Sequence, residues 1–186
     1  RQRFNNRAER YQYSNTSRPN AILKINCTVG SNYVYGSNVI GGAGFCVIGG
    51  AYEGNGQNAG VPNVSGFGIK MNDSGFEGVV GLAMFGTYLE FNAQIADVWI
   101  VQSTKNAAHT VVGAGFARID GTAYTTNNVL FDDVAGNSSL FAAGNGFGAF
   151  NDYTENVARV FIDSTVANKV TEVGNMFGIA TTARPA

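Results

Sequence analysis

Two acids stand at matching places in neighbouring lines of a repeat: Asp133 in VLFDD and Asp163 in RVFID, with Gln102 at the corresponding place one line earlier. If those lines lie on adjacent strands, the two backbones are about 5 Å apart. Carboxyl groups at that separation suit the acid and nucleophile of a retaining glycosidase, or a cation site. Their mutual repulsion would raise one pKa, as acid/base work requires. The competing reading is two outward acids splayed into water at a turn. Asp152 with Glu155 and Asp73 with Glu77 form looser acidic pairs in loop-like stretches.

Other chemistry finds less support. The single histidine, His109, aligns with Leu140 and Val170 and reads as a residue on an apolar strand face. Ser103 and Asp97 complete a triad only on paper. One histidine and two separated cysteines make no zinc site, so no metal is expected. The glycines follow neither a phosphate-loop nor a dinucleotide pattern, so no cofactor is expected. Cys46 lies in the apolar run 44–48 and reads as a buried thiol, while a bridge to Cys27 stays open. Aromatic faces beside neutral hydrogen-bonding groups can hold sugars. Tyr52 and Tyr153, both in polar stretches, are the expected ligand-binding aromatics, with Gln102 and Asp152 as polar partners. Trp99, between Val98 and Ile100, reads as core.

The repeat that would position these residues is visible in residues 98–181. Residues 98–128, 129–158 and 159–181 each carry an apolar core (Trp99-Ile100, Leu130-Phe131, Val160-Phe161), then a polar break. A second pulse follows (Val111-Val112, Ala142-Ala143, Glu172-Val173), then Gly-x-x-Phe ending at Phe116, Phe147 and Phe177. A period of about 30 residues marks a stacked architecture. The tetrapeptide at 113–116 also occurs at 42–45, which would extend the period toward the N-terminus.

Each line holds about three short strands, and no stretch has helical spacing with caps at both ends. The expected fold is therefore all-β: a right-handed parallel β-helix of about six coils over residues 21–181. An irregular basic arm (1–20) would precede it and a short tail (182–186) would follow. Phe116, Phe147 and Phe177 would then stack in one interior file, and Asn106 and Asn137 would align at turns, with Asn168 one position off. Residues 51–64 read as the clearest loop, and 82–91 as a possible short helix. An antiparallel sandwich or jelly roll is the alternative, with the arginines at 1, 3, 7 and 10 as its main argument.

The totals set limits. With 186 residues, one domain with a sizeable core is possible. Charged residues are 13%, about half the usual share, and the net charge is −1. That balance argues against a nucleic-acid partner. No apolar run approaches the roughly 18 residues of a membrane span. A first residue of Arg fits a processed product or part of a longer chain. Asn-x-Ser/Thr triplets start at Asn15, Asn26, Asn63, Asn72 and Asn137, as a chain this rich in Asn would show by chance.

Low charge, abundant Asn and Gly, short β pulses and the phrase GNGFGAFNDYTENVARVFID resemble bacteriophage tailspikes. These are trimeric parallel β-helices similar in coil to pectate lyases. The resemblance implies a homotrimer on the virion surface, outside the cell, that attaches to host surface polysaccharide. It also implies, as alternatives, cleavage of that glycan by a hydrolase or lyase, or a purely structural coat, filament or adhesin subunit. It assigns no catalytic residue.

Overall fold

The computed structural model describes residues 9–12, 21–32, 34–41, 44–56, 66–72, 81–90, 92, 96–101, 107–117, 127–132, 138–147, 160–164 and 170–177. These form six coils of three strands each. The first coil is β1 (Glu9–Gln12), β2 (Ile22–Ile25) and β3 (Thr28–Gly30). The second is β4 (Tyr35–Ile40), β5 (Gly44–Ile48) and β6 (Ala51–Glu53). The third is β7 (Phe67–Asn72), β8 (Gly81–Phe85) and β9 (Tyr88–Glu90). The fourth is β10 (Ala96–Val101), β11 (Ala108–Val112) and β12 (Gly115–Ala117). The fifth is β13 (Asn127–Asp132), β14 (Ser139–Ala143) and β15 (Gly146–Phe147). The sixth is β16 (Val160–Ser164), β17 (Val170–Val173) and β18 (Met176–Phe177).

Each coil gives one strand to each of three six-stranded sheets. The orders are β1-β4-β7-β10-β13-β16, β2-β5-β8-β11-β14-β17 and β3-β6-β9-β12-β15-β18. Every pairing is parallel. The chain is thus a β-solenoid, all-β with stacked parallel sheets, and the described residues contain no helix. Strands β8 and β9 occupy the stretch read as a short helix. Strand β1 starts the first sheet inside the segment read as an arm, and β6 starts inside the stretch read as loop.

The corner between the second and third sheets shows why the coils stay in step. It is two residues long, and its first residue has left-handed φ in every coil: Asn26 at 50°, Gly49 at 63°, Gly86 at 61°, Gly113 at 63°, Gly144 at 60° and Gly174 at 60°. Glycine adopts that backbone without steric cost, and Asn tolerates it. The ladder runs on through the corner. Gly86 N–H donates to the Val112 carbonyl (2.9 Å), and Gly113 N–H to that of Ala143 (3.0 Å). The backbone hydrogen bonds of the ladder thus continue across the corner.

A corner of fixed length keeps the second and third strands in register. His109, Leu140 and Val170 are opposite one another, as are Phe116, Phe147 and Phe177. Both files match the expected columns. The tetrapeptide match does not carry over. Phe45 sits in the second sheet opposite Leu82, whereas Phe116 sits in the third opposite Leu89.

Inward side chains fill the solenoid with Phe45, Leu82, Met84, Ile69, Met71, Ile100, Phe131 and Leu140, each at most 1% exposed. His109 is in this core at 1% exposure. Its Nδ1 accepts a hydrogen bond from Leu82 N–H at 3.2 Å, while Nε2 has no partner. Burial pulls its pKa down from 6.5 to about 4, so the ring is neutral at physiological pH.

Polar ladders line the corners. Asn32 Nδ2 donates to Asn55 Oδ1 (2.7 Å), and Asn55 Nδ2 donates to Asn92 Oδ1 (2.8 Å). Asn92 Nδ2 and Asn128 Nδ2 then donate to the two oxygens of the buried Asp97 carboxylate, at 3.0 and 2.8 Å. Near the other end, Asn145 Nδ2 donates to Asn175 Oδ1 (3.0 Å), and Asn175 Nδ2 to Glu172 (3.1 Å). The stacked amides expected at Asn106, Asn137 and Asn168 lie outside the described residues. Cys27 and Cys46 are both free thiols.

Candidate functional site

Strands of the first sheet turn Ser37, Ile69, Val98 and Val129 inward in one file. The residues that follow form an outward file: Asn38, Lys70, Trp99 and Leu130. Asp163 holds the same register position on β16. Trp99 is partly exposed in this file rather than a core residue. The Lys70 ammonium lies 3.6 Å from the centroid of its ring and 5.8 Å from that of Phe67. Phe67 stacks on Tyr35 at 5.1 Å with planes 5° apart, and meets Trp99 edge-on at 6.1 Å. Three aromatic rings and one cation therefore form a single cluster spanning β4, β7 and β10. Trp99 Nε1, and Asn38 Oδ1 in the same file, are buried atoms without a hydrogen-bond partner. Leaving such atoms unpaired costs about 1–3 kcal/mol each.

Asp163 is opposite Leu130, three positions from the expected pairing with Asp133. The slip has a simple cause. Nine positions separate Phe131 from Leu140, but six separate Ser164 from Val170, so the link from first to second strand shortens by three. Asp133, Gln102, Asp152 and Tyr153 lie outside the described residues. Tyr52 is placed otherwise than expected. Its ring has no exposed surface, and its hydroxyl is 3.1 Å from that of Ser37. It also has the Lys24 ammonium 5.5 Å from its centroid. Tyr52 is therefore a core residue.

The third sheet carries a carboxylate pair that the sequence reading missed. Glu53 and Glu90 are direct partners on β6 and β9, both partly exposed. They give a backbone separation of about 4.8 Å. Tyr88 stands beside them with its pKa pushed up to about 12. The causes are burial, then its hydrogen bond to Glu90, then the negative charge of Glu90 and Glu53. A signal was present in the sequence: Ala51-Tyr52-Glu53 and Tyr88-Leu89-Glu90 are each followed two residues later by Asn. Two carboxylates and a phenol that keeps its proton can hold sugar hydroxyls. Among the described residues, no three His, Cys, Asp or Glu side chains gather as a metal site. No helix among them is long and apolar enough to cross a membrane.

The class this geometry defines is a three-sheet parallel β-solenoid in which Lys70 and Trp99, partly exposed on one outer face, lie against the buried ring of Phe67, which stacks on the buried Tyr35. No family model, curated protein or solved structure matches the chain.

Proposed function

We propose that this chain is a glycan-binding module of a virion surface, acting outside the cell as a homotrimer of right-handed parallel β-helices. The observation that carries the reading is the outward file of Asn38, Lys70, Trp99 and Leu130, with the Lys70 ammonium beside the Trp99 ring. Coils repeat about every 4.8 Å, close to the length of one sugar unit in a linear polysaccharide. A glycan lying along the solenoid axis therefore meets one coil per sugar. Trp99 offers apolar ring surface, Lys70 a donor and Asn38 a partly exposed amide. Right-handed coiling follows the strong bias of parallel crossover connections.

The test is binding of bacterial surface polysaccharides to the wild-type chain and to Trp99→Ala and Asn38→Ala. The expected result is saturable binding, weakened at least tenfold by either change. No binding by the wild type to a broad panel overturns the reading.

A second reading is enzymatic, a polysaccharide hydrolase or lyase, and the Glu53 and Glu90 pair favours it. Release of new sugar ends by the wild type, abolished in Glu53→Gln or Glu90→Gln with binding kept, would establish it. Asp133→Asn and Asp163→Asn test the acids singled out from the sequence in the same assay.

A further inference from the structure

The second sheet turns an uncharged face to solvent. One outward file runs Ile25, Ile48, Phe85, Val112, Ala143 and Val173, apolar in all six coils. Exposure is 55% at Ile25, 41% at Ile48, 40% at Phe85 and 55% at Val173. The next file runs Leu23, Cys46, Ala83, Thr110, Phe141 and Thr171, with Leu23 at 59% and Phe141 at 40%. Neither file contains a charge. Water normally meets charged or strongly polar groups on the outer face of a strand, and uncovered apolar patches mark interfaces.

We infer that this face is where copies of the chain pack against one another. The inference rests on the homotrimer proposed above and gives it a contact surface. Two features favour a second copy over an unrelated partner. The face has neither sign of charge, so it complements itself without any matching of ions. Its ridges recur at the interstrand distance, and another copy carries ridges of the same spacing. Six strands by five residues give a footprint of roughly 24 by 16 Å. That flat area is about half of what one partner buries in a stable interface. Met176, 66% exposed just past the corner from Val173, extends it.

The two cysteines provide a readout. Cys46 lies within the face and is partly exposed; Cys27, in a corner, is exposed. Mass of the full chain is measured by sedimentation for the wild type, Ile48→Lys/Phe85→Lys, the milder Ile48→Ser/Phe85→Ser, and a third-sheet control, Thr28→Lys. Alkylation rates at both thiols are followed in parallel. The expected wild type is a trimer. The face variants fall to one third of its mass with an unchanged strand spectrum, and Cys46 alkylation rises at least tenfold while Cys27 does not change. The control keeps the oligomer. An oligomeric wild type whose folded face variants keep their mass overturns this contact surface and leaves the homotrimer standing. A monomeric wild type overturns both.

Discussion

The outer faces of the first and second sheets are built on the same scaffold and present opposite chemistry. Both alternate, and both bury inward files that are mainly apolar. Beyond that they diverge. The first sheet displays Asn38, Lys70 and Trp99, while the second displays Ile48, Phe85 and Val112. Inward files therefore determine whether the solenoid forms, and outward files are free to differ from sheet to sheet. The lesson is about adjacency: residues one apart in sequence answer to different demands.

The sharpest way to break that comparison uses neighbours on β8. Met84 is fully buried and Phe85 is 40% exposed. Met84→Ala should cost about 2–5 kcal/mol through the cavity it leaves. Phe85→Ala should cost well under half of that in the isolated monomer, judged by denaturant midpoints. Equal losses would remove the distinction between files.

Next in size is acid lability. Unfolded, His109 titrates near 6.5; in the fold it titrates at about 4. The unfolded chain takes up the proton first, so this contribution is whole above about pH 6.5 and falls as pH drops toward 4. The full loss is about 3 kcal/mol. His109→Leu should remove that pH-dependent step from stability measured between pH 7 and 4. An unchanged slope would deny the buried, neutral imidazole.

A smaller effect separates strain from crowding at glycines. Gly144 has φ of 60° and open space where a Cβ would project. Gly144→Ala should cost about 1–2 kcal/mol from backbone strain alone. At Gly68 a Cβ would come within 2.7 Å of the Asp97 carbonyl oxygen. Gly68→Ala should therefore cost more and disturb the Asn92–Asp97 contact. Thermal melts of the two variants decide the order.

What was legible in the sequence follows the corners. The two-residue corner fixes spacing, so the files through His109 and Phe116 were readable across three coils. The links from first to second strand vary in length, so the Asp133–Asp163 alignment slipped by three. Three-residue strands such as Ala51–Glu53 are too short for alternation to show, and Gly54-Asn55-Gly56 beside them reads as loop. That hid both the buried Tyr52 and the Glu53–Glu90 pair. The amide ladder through Asn32, Asn55, Asn92, Asp97 and Asn128 was missed for another reason. It joins a third-sheet corner to first-sheet strands, and no single repeat line contains it.

Everything rests on parallel strands stacked in one register, and the native Cys46 can report it. Cys46 is the direct partner of Ala83 on the next coil, and Thr110 is one coil further on. In a Cys27→Ser background, mild oxidation of the Ala83→Cys variant should join Cys46 to the thiol introduced at position 83 within one chain, seen by peptide mass. Thr110→Cys, two strands away at about 9.6 Å, should give no such bond. Bonding at 110 but not at 83, or equally at both, would contradict the stacked register.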